Sequence, residues 1–184
     1  MEERSDMGNH SHMEIERKWM VSGWPEQDFP LIKEEEQNQG YVTTEPTVRI
    51  REENVTVSNS PEIPVRDAFI LCFKSSGRLA RKEIEFEIER EHFDRIRDLI
   101  GLPLIAKIRR TYLLPDGHRL EVNLVDPGMK TEFMYAEVEF ESVEEAENWE
   151  PESVGLGAYL SDEVTKKPGQ SMGAYWVQTR QNGK

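Results

Sequence analysis

The chain has a single cysteine, Cys72, in 184 residues, so it cannot close an internal disulfide. It has no apolar run long enough for a signal h-region or a transmembrane helix. It also has no internal repeat and no low-complexity tract. Positive charge is scarce: 23 Lys and Arg stand against 36 Asp and Glu, a formal net charge of -13. That field repels nucleic acid and an anionic membrane surface, so neither is an expected partner. An anionic ligand would need local bases or a metal to reverse the field. Cytoplasm is the expected location.

What is present suffices for one folded domain. Hydrophobic residues make up 36% of the chain and charged residues 32%, and the apolar ones are clustered in short runs. Residues 1–12 are polar and without period, and are expected to be a flexible N-terminal extension; His10 and His12 there are read as incidental. Sharp patterning begins at Met13. The domain is expected to occupy 13–178, with a frayed tail over 179–184.

The dominant signal is a period of two, broken by turn residues, which predicts antiparallel strands. The segments are Glu14–Val21, Pro46–Glu53, Ala68–Ser75, Lys82–Glu89, Ala106–Leu113, His118–Val125 and Phe133–Glu141. Asp116-Gly117 marks a hairpin between the fifth and sixth. Helices are expected at Pro25–Gln37, which holds an acidic run, and at Glu91–Ile100, where Phe93, Ile96, Leu99 and Ile100 form one stripe. Two more are expected at Ser142–Trp149, opened by a capping Ser, and around Met172–Val177. Residues 54–67 read as a long loop. Cys72 and the tryptophans Trp24, Trp149 and Trp176 read as packing residues, and His92 and His118 as surface residues.

In a strand, residues two apart share a face. Glu14, Glu16 and Lys18 therefore project to one side while Ile15, Arg17 and Trp19 take the other. Arg49 and Arg51 align in the same way, as do Glu83, Glu85 and Glu87, Lys107 and Arg109, Glu121 and Asn123, and Glu137 and Glu139. A single charged face usually meets solvent. Here the central pair of each strand is nearly pure in sign, and like charges repel unless something multivalent lies between them. A hard divalent cation between the carboxylates and a polyphosphate between the bases would satisfy both sets.

Met13-Glu14-Ile15-Glu16-Arg17-Lys18-Trp19 resembles the ExExK signature of the CYTH superfamily, the triphosphate tunnel metalloenzymes. The resemblance runs in order through Gln39-Gly40-Tyr41, Thr47-Val48-Arg49-Ile50-Arg51, Phe73-Lys74, Arg81-Lys82-Glu83-Ile84-Glu85-Phe86-Glu87, Lys107-Ile108-Arg109-Arg110, Glu121-Val122-Asn123, Ala136-Glu137-Val138-Glu139-Phe140 and Glu163-Val164-Thr165. It implies an all-β dominated α+β fold, an eight-stranded antiparallel β-barrel forming a tunnel, with a few peripheral helices. It implies that Glu14, Glu16, Glu137 and Glu139 bind Mg²⁺ or Mn²⁺, assisted by Glu85, Glu87 and Glu121. Lys18, Arg49, Arg51, Lys74 and Arg109 would bind a small-molecule triphosphate, and Lys107 with Tyr41 would be the catalytic pair. A plain phosphate anchor is the other reading of Lys107. The family commonly carries Asp where this chain has Asn123.

Hydrolysis of inorganic triphosphate to pyrophosphate and phosphate is the implied activity. Class IV adenylate cyclase, thiamine triphosphatase and a low-turnover polyphosphate- or nucleotide-binding module are the alternatives. A homodimer is the expected assembly.

Overall fold

The alternating segments fold into strands whose pairings are all antiparallel. A computed structural model describes residues 10–183, with side chains from Met13 onward. The strands are β1 (His10–Val21), β2 (Leu31–Thr44), β3 (Thr47–Ser58), β4 (Asp67–Lys74), β5 (Ala80–Glu87), β6 (Ile105–Leu113), β7 (Arg119–Val125), β8 (Phe133–Glu139) and the two-residue β9 (Asp162–Glu163). Their order is β5-β4-β3-β2-β6-β7-β8-β1, and β1 pairs back onto β5. That last pairing closes an eight-stranded barrel. β9 is laid against the far half of β1, at Trp19 and Met20.

The barrel is inverted relative to an ordinary hydrophobic core. The outward faces of β1, β7 and β8 carry Trp19, Leu120, Val122, Ala136 and Val138, all essentially without solvent exposure. They are covered by α2 (Val143–Asn148) and the chain that follows it, through Ala146, Trp149, Val154, Leu156 and Leu160. Ser142 caps α2 as its residue type predicts, its side chain accepting from the Glu145 backbone N–H at 3.0 Å. On the other side, α1 (Arg90–Ile100) lays Phe93 over Ile50 and Phe69. The two phenyl rings lie 5.2 Å apart. Apolar burial of about 1.5–3 kcal/mol per large side chain on the outside leaves the inside free to be charged. Truncating Phe93, which is 2% exposed, should therefore be costly. Phe93→Ala is expected to destabilise the fold by about 3–5 kcal/mol, measured by chemical denaturation; a loss under about 1 kcal/mol would contradict this packing.

Several expectations change. Pro25–Gln37 is not a helix: residues from Leu31 onward belong to β2. The acidic run Glu34-Glu35-Glu36 favours a helix locally, but β2 faces a charged lumen on one side and largely water on the other, so no apolar alternation announces it. The expected 54–67 loop is shorter, because β3 continues to Ser58 and pairs with β2 as far as Lys33. In α1, Leu99 points to solvent, at 79% exposure, and Phe93, Ile96 and Ile100 make the contacts.

At the N-terminus, residues 1–9 of the expected extension lie outside the described residues, and the backbone of β1 begins at His10, opposite Glu85. At the other end, α3 (Met172–Trp176) runs into a π-helical turn over 177–181 where fraying was expected. Asp126, left-handed at φ 48°, accepts from Arg180 at 2.6 Å and from the Tyr175 hydroxyl at 2.5 Å. Those two bonds hold the C-terminal helix across one end of the barrel, with Trp176 packed on Tyr41 at 5.8 Å.

Candidate active site

The inward faces of the eight strands enclose a cavity of about 1760 Å³. Its lining includes Glu14, Glu16 and Lys18 of β1, Tyr41 of β2, Arg49 and Arg51 of β3, and Lys74 of β4. It continues with Glu85 of β5, Lys107 and Arg109 of β6, Glu121 of β7, and Glu137 and Glu139 of β8. The registers bring them level: Glu16 is opposite Glu139, Lys18 opposite Glu137, Glu121 opposite Glu137, and Tyr41 opposite Arg49. Thirteen of the fourteen residues expected at the site thus share one cavity. The exception is Glu87. It lies past the rim, exposed and paired with Arg66, because β5 leaves the barrel as it reaches α1.

The lumen is divided by sign. Lys74 reaches Glu14 at 2.5 Å and Glu83 at 3.1 Å; Arg49 reaches Glu85 at 3.0 Å; Arg109 reaches Glu121 at 2.6 Å; Lys18 reaches Glu137 at 3.5 Å. Burial pushes the Glu16 carboxyl up to about 8, and the neighbouring Glu137 and Glu14 carboxylates add to the push. Burial alone would also raise Glu14, but Lys74 and Arg81 outweigh it and draw its pKa down. Three carboxylates from two adjacent strands that disfavour one another's charge form the donor set a hard divalent ion relieves. The residues fit such an ion.

Among the described residues the grouping whose ligand atoms all lie within 4.8 Å of one another is Cys72 Sγ with oxygens of Glu83 and Glu85; the oxygens of Glu14, Glu16 and Glu137 are not drawn together to that extent. Here Lys74 and Arg49 already engage both carboxylates, and burial lifts the Cys72 thiol to about 12, so cations of the protein itself fill the role of a metal. Cys72 is buried as expected but on the lumen side, its thiol 3.3 Å from Glu83. An apolar neighbourhood in sequence hid that orientation.

Lys107 is 3% exposed, and burial, followed by repulsion from Arg109 and Arg51, holds its amine well below the ordinary lysine range. Its hydrogen-bond partner is the Tyr135 hydroxyl, at 3.3 Å. The Tyr41 hydroxyl accepts from Gln39 at 2.9 Å, and burial raises its pKa to about 12. Asn123 is fully buried and accepts from Arg109 Nε at 2.9 Å. It thereby holds the Arg109 guanidinium in place.

Sequence reasoning put Glu83 on the charged face of its strand without giving it a role, and missed Tyr135, Arg81 and the sealed end of the lumen. Glu35, Gln37 and Asn123 are essentially without solvent exposure, so the channel stops there behind Arg109. Lys33 and Gln37 both donate to Glu35 at 2.6 Å. Inward parity alone would have flagged Arg81; Glu35 was hidden with β2. His118, expected at the surface, is partly buried at the mouth, packed on Phe140 and Trp149 and 3.1 Å from Glu145.

No family model matches the chain. It is 29% identical over 157 residues to the inorganic triphosphatase of Nitrosomonas europaea, across 83% of this chain and 89% of that one. The crystal structure of the inorganic triphosphatase NE1496 aligns with a TM-score of 0.55 at 24% identity, over 88% of this chain and 93% of that one. The chain has the fold of that triphosphatase, an eight-stranded antiparallel barrel. PH1819 from Pyrococcus horikoshii shares it at a TM-score of 0.59 and 18% identity, over 91% and 99% of the two chains. HpAC1 from Hippeastrum, described as a putative adenylyl cyclase with a dominant triphosphatase activity, shares it at 0.54 and 15%, over 93% and 96%. Within the barrel of this chain, carboxylates gather on β1 and β8 while most of the bases stand on β3, β4 and β6. No helix of the described residues is long and apolar enough to cross a membrane.

Proposed function

We propose that this protein hydrolyses inorganic triphosphate to pyrophosphate and phosphate, using Mg²⁺ or Mn²⁺ held by Glu14, Glu16, Glu137 and Glu139. The observation that carries the reading is the convergence of those carboxylates and of Lys18, Arg49, Arg51, Lys74 and Arg109 on one cavity. The 29% identity to an inorganic triphosphatase supports it. Glu85 and Glu121 have a lesser share, since each is already paired with an arginine. A bound divalent ion would neutralise charge on the phosphate oxygens and on the leaving pyrophosphate.

The chain's own residues do the rest. The guanidinium and ammonium groups fix the triphosphate by paired hydrogen bonds, which is where most of the rate gain in phosphoryl transfer arises. Lys107, whose amine is made easier to deprotonate by burial and by Arg109 and Arg51, takes a proton from the attacking water as the new P–O bond forms and the bond to pyrophosphate breaks. Tyr135 keeps the amine on the lumen wall, and Tyr41, protonated at neutral pH, offers a donor on the same cavity.

One observation favours a second reading. The cavity exceeds the range of about 300–1000 Å³ usual for small-ligand sites, which leaves room for an organic group on the triphosphate. Purified protein incubated with inorganic triphosphate, ATP and thiamine triphosphate, each with Mg²⁺ or Mn²⁺, should release phosphate fastest from inorganic triphosphate. Faster release from either organic substrate would favour the second reading, and no release from any would defeat both. The proposal also includes a cytoplasmic location and a homodimer, the latter checked by sedimentation.

A further inference from the structure

Arg81 belongs to neither set of residues assigned so far, yet it touches both carboxylates of β1. Its Nε donates to Glu14 Oε2 at 2.6 Å and its terminal nitrogen to Glu16 Oε1 at 3.0 Å. The register makes this contact direct, since Arg81 is the cross-strand partner of Glu14 where β5 closes against β1. The guanidinium lies at the wall of the cavity, 22% exposed, close to the rim where Arg78 and Lys167 also line the mouth. Glu16, Glu14 and Glu137 all draw the guanidinium toward the acidic side of the lumen. One protein cation therefore bridges the two acids that the proposed function gives to a divalent ion.

We propose that Arg81 is an internal counter-cation that competes with the divalent ion for Glu14 and Glu16 and, once displaced, binds the polyphosphate. This rests on the metal-site reading above. A divalent ion ligated by the Glu14 and Glu16 oxygens that Arg81 now holds at 2.6 Å and 3.0 Å would repel the guanidinium, so the two cations compete for those oxygens. The freed guanidinium is left inside a lumen crowded with Lys74, Arg49 and Arg51, where only an anion can hold it. A phosphate oxygen is that anion. Metal and polyphosphate each favour the swung position, so each strengthens the binding of the other, and the coupling is reciprocal by thermodynamic necessity. Arg81 is in this sense a positioning residue. It keeps the acidic pair neutralised and ordered until metal and phosphate arrive together.

The test measures Mn²⁺ binding to the protein by calorimetry or by the loss of the free-ion electron paramagnetic resonance signal, with and without inorganic pyrophosphate. Four proteins are compared: wild type, Arg81→Gln, Arg81→Lys and Glu16→Gln. Arg81→Gln should bind Mn²⁺ alone roughly three- to tenfold more tightly than wild type, the scale set by one partly exposed ion pair. Pyrophosphate should strengthen Mn²⁺ binding less in this variant than in wild type, by about threefold or more in the ratio of dissociation constants. Arg81→Lys, which keeps the charge but loses the fork, should fall between the two. Unchanged or weaker Mn²⁺ binding in Arg81→Gln, with binding still lost in Glu16→Gln, would overturn the Arg81 proposal and leave the metal site standing. Mn²⁺ binding that survives Glu16→Gln undiminished would instead overturn the metal-site reading itself.

Discussion

Glu16→Ala and Arg51→Ala are each expected to lower triphosphate turnover by about a hundredfold or more while the barrel remains folded. The two act through opposite charges. Glu16 is opposite Glu139 and crowded by Glu137 and Glu14, so its charged form is disfavoured despite the Arg81 contact, and a divalent ion would relieve it. Removing it relieves repulsion, and the thermal midpoint should stay level or rise. Arg51 sits between Glu53 at 2.5 Å and Glu85 at 3.6 Å. Its loss takes the close partner from Glu53 and leaves Glu85 to Arg49 alone, so a stability cost of about 1–3 kcal/mol accompanies the loss of rate. Phosphate release under saturating Mg²⁺, with circular dichroism to confirm the fold, reads both. Near-wild-type rates in both variants would remove the lumen from the chemistry.

The same charges explain how much of this protein was legible beforehand. β1, β3, β7 and β8 announce themselves because one face is apolar and packs outside while the other is charged and points in; Trp19 against Lys18 and Val138 against Glu137 make the alternation plain. β2 has no such contrast. Its lumen side carries Lys33, Glu35, Gln37 and Gln39 and its outer side Glu34, Glu36 and Asn38, so local helix preference was the stronger signal and only the pairing with β3 and β6 decides its state. Parity plus the motif resemblance put thirteen of the expected residues on the wall of one cavity. Glu87 does not line it, because parity says which face a residue takes and nothing about where along the strand the lumen ends. Tyr135 and Arg81 are fixed by cross-strand neighbours far apart in sequence, Asn123 and Glu14 respectively. Register of that kind becomes readable only once the barrel is closed.

Lys107→Met separates catalysis from folding, because the two should move in opposite directions. The substitution keeps length and apolar stem and deletes an amine that burial, Arg109 and Arg51 all disfavour as a cation. Maximal turnover is expected to fall by about a hundredfold or more with little change in the Michaelis constant, the signature of a lost proton acceptor. Stability is expected to rise by about 1–2 kcal/mol, as replacement of strained buried polar groups often allows. A pH series fixes the cause. The folded-state pKa of Lys107 lies below its unfolded value, so in the interval between them the unfolded chain binds the extra proton and the wild type gains stability as pH rises. The advantage of the Met variant should therefore be largest at low pH and shrink as pH rises toward about pH 10, where the unfolded lysine also loses its proton. A variant that loses affinity for triphosphate and keeps its maximal rate would make Lys107 a phosphate anchor. A stability gain indifferent to pH would mean that the amine is charged in the folded barrel, where it could not accept a proton from water.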